Sequence, residues 1–315
     1  MRLFGAAMVR NEADIIEAFV RHNLTVLDGL AIVDHGSFDG TSDILAALAA
    51  EGLPLAVTRN DTLGYHQAEI TTQLVREVLA QTRADFVFVI DADEFLKVRS
   101  RRFLDDVLGG LAPGLPAVVD WQTYVPDFAN ATPGDNVRVC IARAKRLAQE
   151  RHGLHKVIVG RHFVDTPAAM VAMGNHLIVP SVRGIVPGQS NPHARLKPEV
   201  AALAHFPIRS RDQFTAKIAI GWLANLAARR NSAEAAYHWR DVYADIVAGR
   251  ALTPERLTDI AANYSIQKSD WQPAETLPRV ADPFLADFEL RYAHLGCYEP
   301  LPLVLAFAEK LAARE

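Results

Sequence analysis

Phe86 to Leu96 reads FVFVIDADEFL, and this stretch decides the fold. Phe86 to Ile90 are five apolar residues in a row, rich in aromatic and β-branched types. They predict a strand buried on both faces, as in the middle of a parallel sheet. The run stops at Asp91, Ala92, Asp93 and Glu94. Two carboxylates about 4 Å apart repel by roughly 4 kcal/mol at an effective dielectric near 20. Three of them at a buried strand end therefore need an offset: a metal ion, a basic partner or a shared proton. Ligands of open α/β sheets bind beyond the carboxyl ends of the strands, so the same place is the expected site. The plainer alternative is a solvated acidic turn.

Outward from this strand the chain keeps one rhythm. Leu3 to Met8 predicts a first strand, and Asn11 is the expected cap of a helix from Glu12 to about Thr25, with Ile15, Ile16, Phe19, Val20 and Leu24 on one face. Leu30 to Val33 predicts a second strand, running into the polar loop Asp34-His35-Gly36-Ser37-Phe38-Asp39-Gly40-Thr41. Ile44, Leu45 and Leu48 mark the helix after it. Leu55 to Thr58 predicts a third strand, and Ile70 to Leu79 a third helix. Strands alternating with helices of this length call for a parallel sheet. Three strand ends, at Arg10-Asn11, Asp34 and Asp91-Asp93, then face one crevice.

After Leu96 the rhythm loosens. Phe103 to Leu108 predicts a short helix, and Ala117 to Val119 a strand that leads into Asp120, Trp121 and Tyr124. Lys156 to Val159 and Leu177 to Val179 predict further strands, and Pro180 to Pro198 a long loop or lid. From Ser210, whose pairing with Gln213 suggests a capping box, the chain turns helical. Thr253-Pro254 starts another helix with Pro at its first position. The expected organisation is an α/β catalytic domain over 1–209, divided into 1–100 and 101–209, followed by a helical C-terminal extension over 210–315.

Composition narrows the function. Half of the 315 residues are apolar, 22% are charged and the net charge is −4. That fits a globular protein and gives no electrostatic case for nucleic acid. Two distant cysteines, Cys140 and Cys297, point to a reducing compartment without a disulfide framework. The N-terminus is too briefly apolar for a signal peptide, and no run is long enough to span a membrane. A cytoplasmic protein is expected. The C-terminal LPLVLAFAEKLAARE is expected to pack on the core, with peripheral contact at the inner face of a membrane as the alternative. Neither GxGxxG nor GxxxxGK[ST] is present, which argues against a dinucleotide dehydrogenase or an ATPase. His152 and His155 have a tempting spacing but no further ligands nearby.

Four segments, MVRNEADIIEAFVRHNL, AIVDHGSFDGTSDIL, GYHQAE and FVFVIDADEFL, occur in the order and separation of a family-2-type glycosyltransferase. The chain resembles in particular the bacterial subgroup with a DxDEF motif. The later LAHFPIRSRDQFTAKIAIGW is similar to a histidine-containing segment of the same group. The resemblance implies a GT-A-like, Rossmann-type fold with a mostly parallel sheet. It implies a nucleoside diphosphate-sugar donor, UDP-linked by default, and a glycan, lipid-linked or protein acceptor. It places Arg10, Asn11, Glu12, Asp34, Gln67 and Asp91 at the nucleotide-sugar, and Lys156 within reach of the diphosphate. Asp91, Asp93 and His205 are the implied holders of a divalent cation, Mn²⁺ or Mg²⁺, since hard oxygen ligands and a diphosphate favour these ions. Asp93 is the preferred ligand, and Glu94 is expected only to orient the loop. Trp121 and Tyr124 are candidates for stacking an acceptor sugar. His176, Asp120 and Asp127 are candidates for the base, because the family's usual acidic base segment has no clear counterpart here. Inversion is the implied outcome. Two other classes stay open: an aspartyl-nucleophile phosphohydrolase with Asp91 attacking, and a non-catalytic nucleotide-sugar-binding protein.

Overall fold

A computed structural model describes residues 1–62, 66–132, 135–151, 153–179, 193–227 and 237–313, without the side chains of 237–239. His152, most of the expected lid and part of GYHQAE lie outside them. In chain order the strands are β1 (Leu3–Val9), β2 (Gly29–Asp34), β3 (Leu55–Arg59), β4 (Phe86–Val89), β5 (Glu94–Val98), β6 (Ala117–Val125), β7 (Lys145–Leu147), β8 (His155–Gly160), β9 (Met170–Val171), β10 (Ile178–Val179), β11 (Ala194–Arg195), β12 (Ala201–His205) and β13 (Arg279–Val280). The helices are α1 (Ile16–Asn23), α2 (Thr41–Ala50), α3 (Gln67–Thr82), α4 (Arg101–Gly109), α5 (Val137–Arg143), α6 (Arg211–Ala227), α7 (Tyr237–Val247), α8 (Pro254–Ala262) and α9 (Pro300–Ala312).

The main sheet runs β13-β7-β6-β8-β4-β1-β2-β3. Its first four strands in sequence, ordered β3-β2-β1-β4, are parallel. The chain leaves β1 in one direction for β2 and β3, and β4 returns on the other side. The switch point therefore falls between β1 and β4. Loops diverge from such a point and leave a crevice at the strands' carboxyl ends. Val9-Arg10 and Ile90-Asp91 are those ends. β4 is buried on both faces as expected, but its second neighbour, β8, is antiparallel, so the sheet is mixed beyond it.

β6 is longer than its sequence suggests and takes in Asp120, Trp121 and Tyr124. It can stay extended because β8, β7, β11 and β12 each pair with part of it. β12 lies between β6 and β5, antiparallel to β5, with His205 opposite Glu94. This register carries a histidine 111 positions away in sequence to the acidic turn.

Asn11 is not the cap of α1, which begins later, at Ile16. Its backbone is left-handed, at φ 55°, a region that Asn tolerates better than most residues. Its side-chain oxygen accepts from the Phe38 N–H. The start of the α1 segment is held instead from the β2–α2 loop: Ser37 accepts from Asn11 N, Thr41 from Glu12 N and Asp39 from Ala13 N, at 2.8 to 2.9 Å. Non-local contacts of this kind leave little mark in a local pattern. Ser210 and Thr253 do cap their helices, accepting from Gln213 N and Arg256 N. The Gln213 side chain reaches back to Arg209 N rather than to Ser210 N.

The segment after α8 returns to the α/β body. Phe284, Leu285, Phe288, Leu290 and Tyr292 pack on the main core, and Arg279-Val280 pairs with β7. α9 lies on α6 through Leu303, Phe307, Ala216 and Ile220, as its apolar face predicts. Among the described residues no helix is long and apolar enough to cross a membrane.

Glu17 on α1 is 4% exposed and accepts the backbone N–H groups of Arg291 and Tyr292 at 2.9 to 3.0 Å. Glu17→Ala should leave both donors unpaired and cost about 3 kcal/mol, since each orphaned buried donor costs about 1–3 kcal/mol. A lower urea midpoint and faster proteolytic cleavage between 284 and 300 are the expected readouts.

Candidate active site

A cavity of about 980 Å³ opens over the switch point, lined by Arg10, Asn11 and Glu12 from the end of β1 and by Asp91 and Asp93 beyond β4. His176, His205, Arg209, Lys217 and Tyr264 close its other sides. The topology thus brings β1, β4, β12 and α6 to one place.

Each carboxylate of the acidic turn meets a different neighbour. Asp91 receives the Lys156 ammonium on one oxygen and Asn175 Nδ2, at 3.0 Å, on the other. Asp93 receives Lys217 Nζ on Oδ2 at 3.0 Å, with Arg209 Nη1 at 3.9 Å from the same oxygen. Its Oδ1 faces His205 Nε2 at 3.9 Å. Burial disfavours the Asp93 carboxylate, but Lys217, His205 and Arg209 outweigh it and hold the group well below the usual carboxylate range. Glu94 is fully buried; burial and the neighbouring Asp91 and Asp93 push its carboxyl well up, against the pull of Lys156 3.4 Å away. Its Oε2 accepts the Asp91 N–H at 2.8 Å, the orienting contact expected of it. Its Oε1 has no hydrogen-bond partner.

Several expected residues stand elsewhere than the sequence suggests. Lys156 is fully buried, and its ammonium is committed to Asp91 and to the Gly174 carbonyl at 2.8 Å. The sequence expectation set it within reach of a diphosphate; its ammonium is turned to Asp91 and Gly174, and Lys156 does not line the cavity. Tyr124 is 1% exposed, stacked on Phe206, with its hydroxyl donating to the Asp282 carbonyl. It offers no face to a sugar, which corrects its assignment to an acceptor. Trp121 lines the cavity, yet His205 already stacks on its ring, with centroids 3.9 Å apart. Asp120 pairs with Arg195 at 2.5 Å. Asp127 is exposed and bonded to Asn130 within its own turn. Of the three candidate bases, His176 is the one at the cavity.

Asp34 is 1% exposed and holds its own loop, accepting from Ser37 N and Ser42 Oγ with Arg59 at 3.4 Å. Arg10 donates to the His35 carbonyl and to His35 Nδ1, both at 2.7 Å. Burial, and then Arg10, hold the His35 imidazole down at about 4. Gln67 accepts the Gly174 N–H at 2.8 Å. Glu12 is pushed up to about 7 by burial, because the Arg209 that opposes this is shared with Asp14.

The fit to a divalent cation rests on the donors. One atom each from Asp93, Glu94 and His205 lies within 4.8 Å of the others. They offer an ionised carboxylate, a buried carboxyl oxygen that accepts no hydrogen bond and stands 3.4 Å from the Lys156 ammonium, and a neutral imidazole. Oxygens with one nitrogen suit Mn²⁺ and related ions. The triad differs from the expected one in having Glu94 where Asp91 was named.

Arg209, Lys217 and Tyr264 were not singled out in the sequence, and Asn175, expected beside His176 at an acceptor pocket, is bonded to Asp91 instead. Arg209 and Lys217 do sit inside the quoted His205 segment, two basic residues eight positions apart around a helix start. Their spacing was the available signal, but nothing in it names Asp93 as the partner.

No protein-family model matches this chain, and no curated protein does. Solved structures do match. S. aureus TarS, residues 1–349, is 12% identical at a TM-score of 0.38, with 86% of this chain and 77% of that one covered. The mannosyltransferase PcManGT from Pyrobaculum calidifontis, in complex with GDP-Man and Mn²⁺, is 16% identical at a TM-score of 0.35, with coverage of 100% and 88%. Glucosyl-3-phosphoglycerate synthase from Mycobacterium tuberculosis, in complex with Mn²⁺ and UDP-Glc, is 19% identical at 0.26, with coverage of 38% and 43%. Likenesses at these scores assign no residue and no activity to this chain.

His176 donates from Nδ1 to the His155 carbonyl at 2.6 Å, which leaves Nε2 as the acceptor. Burial, and then Lys156, hold it at about 4, and burial holds His205 at about 3. A lowered histidine contributes stability that is complete above pH 6.5, its unfolded value, and is lost as pH falls toward its folded value. The imidazole resonances of both should therefore titrate below pH 5, followed by NMR. A midpoint near 6.5 for either would contradict its place in the site.

Proposed function

We propose that this chain is a glycosyltransferase. It moves a sugar from a nucleoside diphosphate donor to a hydroxyl of a glycan, lipid-linked or protein acceptor. The observation that carries this reading is where the acidic turn lies: at the switch-point crevice, on the floor of a cavity of about 980 Å³ with charges of both signs facing inward. That volume is at the upper end of the ~300–1,000 Å³ common for small-molecule sites. Cations and carboxylates interleaved over a strand edge suit a ligand that brings several negative charges together with hydroxyls.

In this reading Asp93, Glu94 and His205 hold Mn²⁺ or Mg²⁺. The cation supplies Lewis-acid stabilisation of the departing diphosphate. Arg10, Asn11 and Glu12 hold the nucleoside beside the β2–α2 loop, whose shape Asp34 fixes. Asn11 Nδ2 is buried without a partner and is available as a donor to the ligand. Asp91, tethered by Lys156 and Asn175, sets the position of the turn. His176 stays neutral at pH 7 and accepts a hydrogen bond from the acceptor hydroxyl through Nε2. In the displacement the sugar C1–O bond to the diphosphate breaks as the bond to the acceptor oxygen forms, with inversion, and the acceptor hydroxyl's proton passes to His176 Nε2. Residues 1–209 form the catalytic domain, and the 210–315 extension closes the cavity over it.

The phosphohydrolase alternative needs Asp91 to present a free oxygen to phosphorus. Both of its oxygens are engaged, by Lys156 and Asn175, which disfavours it. A pure binder has no use for an ionised carboxylate and a neutral histidine side by side at the diphosphate.

Thermal-shift screening against UDP, GDP and dTDP and their sugars, with and without Mn²⁺, should identify a stabilising donor; about 2.7 kcal/mol is gained at a hundredfold excess over Kd. Hydrolysis of that donor should stop on chelation and resume with Mn²⁺. Asp93→Asn should lower it by about a hundredfold, a loss in keeping with removal of an electrostatic stabiliser, with the parent's circular dichroism spectrum retained and a thermal midpoint lowered because Lys217 loses its buried carboxylate partner. Undiminished hydrolysis in Asp93→Asn sinks the proposal.

A further inference from the structure

Asp93 presents two faces. Oδ1 looks toward His205, the imidazole of the cation triad, at 3.9 Å. Oδ2 carries the Lys217 ammonium at 3.0 Å. Three basic groups surround this turn, and they are not equivalent. Lys156 has a side-chain exposure of 1% and is fixed between Asp91 and the Gly174 carbonyl. Arg209 is 2% exposed and is bound by both oxygens of Asp14 and by Glu12. Lys217 is 26% exposed, lines the cavity and rises from the inner side of α6 on a flexible stem. A lysine is a mobile point charge with three donors, whereas a guanidinium held by two carboxylates is a fixture.

A divalent cation beside Asp93 and an ammonium on the same carboxylate repel each other. A diphosphate in the cavity offers the ammonium a more negative partner. We propose that Lys217 is the resting counter-cation of Asp93, and that its ammonium passes to the donor's diphosphate when donor and cation load. Lys217 is then a diphosphate-binding residue, and before the donor loads it competes with the cation for Asp93. The inference rests on the glycosyltransferase reading and adds to it an order of assembly: the diphosphate draws the lysine away and so favours the cation.

Calorimetry on the full chain tests this with three titrants: Mn²⁺ alone, the nucleoside diphosphate found by the screen in the presence of chelator, and the corresponding nucleoside. Lys217→Met should bind Mn²⁺ about tenfold more tightly without nucleotide, because a like charge is gone. The same variant should bind the metal-free diphosphate about tenfold more weakly, because a charge-assisted contact is lost, and the nucleoside unchanged. Lys217→Gln keeps a hydrogen-bond donor for Asp93 and should show the same opposite shifts even where the methionine variant folds poorly. Lys217→Arg should keep the diphosphate affinity. A merely structural lysine would weaken all three titrants together, and that result overturns the proposal. If the parent binds a diphosphate and both neutral variants leave all affinities within twofold, the role of Lys217 fails alone. If the parent binds no nucleoside diphosphate under any condition, the glycosyltransferase reading fails and this inference with it.

Discussion

Clustered negative charge at the buried end of β4 is the constraint on which the rest of the structure depends. Burial works against the charge on Asp93 and Glu94, and each of the three carboxylates meets a different neighbour. Asp91 is met by Lys156, Asp93 by Lys217 and Arg209, and Glu94 is pushed toward its neutral form. Those offsets dictate topology. β8 must lie against β4 to deliver Lys156, and β12 must run antiparallel to β5 to set His205 opposite Glu94. α6 must follow β12 at once to bring Arg209 and Lys217 down onto Asp93. The second half of the chain is therefore the electrostatic complement of a motif in the first half.

The C-terminal segment is tied to the same place from behind. His22 Nε2 donates to the Leu96 carbonyl at 2.8 Å, so its Nδ1 is the acceptor for Ala286 N at 3.1 Å. Asn23 bonds the backbone of Glu94 and Leu96 from both ends of its amide. Lys97 on β5 meets Asp282, which Arg146 also binds. Each link joins α1, β5 or β7 to residues beyond 280 or to the strand that follows the acidic turn. The turn is thus fixed between a helix on one side and a returning strap on the other. The Phe38–Phe307 stack and the Lys310 bond to the Gly36 carbonyl extend the same strap over the β2–α2 loop. A site that must hold several charges in register gains rigidity from such backing.

How much of this was legible in the sequence follows from how local each determinant is. β1, β2, β4 and α1 through α3 show in their hydrophobic patterns, because each buries its own apolar residues within a short window; β3 shows as an apolar run although it lies exposed at the sheet edge. The strand ends that face the crevice show for the same reason. Ion-pair partners do not show. Lys156 and Asp91 are 65 positions apart, and Lys217 and Asp93 are 124 apart. A lysine inside a helical stripe is indistinguishable from a solvated one until its helix is docked. Tyr124 illustrates the converse. An aromatic beside Trp121 reads as a sugar platform, but alternation along β6 turns it to the opposite face, into the core with Phe206 and Phe284. Asn11 was read as a local cap, whereas the turn before α1 is held by Ser37, Thr41 and Asp39, about 26 to 29 positions downstream, and α1 itself has no side-chain cap.

The offset that the acidic turn requires is supplied by the fold itself. The sequence allows a metal ion, a basic partner or a proton; the structure sets basic partners against Asp91 and Asp93, and burial pushes the Glu94 carboxyl up. In the proposed reading a cation approaches Asp93 from the Oδ1 side, where His205 stands, while Lys217 occupies Oδ2, so the two positive charges repel across one carboxylate. A diphosphate that receives the ammonium relieves that repulsion. Metal and donor are coupled in this reading through Asp93 and Lys217, and by linkage each raises the affinity of the other equally. The ion pairs on Asp91 and Asp93 also explain how a strand so thoroughly buried can end in three carboxylates: the fold itself supplies the counter-charges.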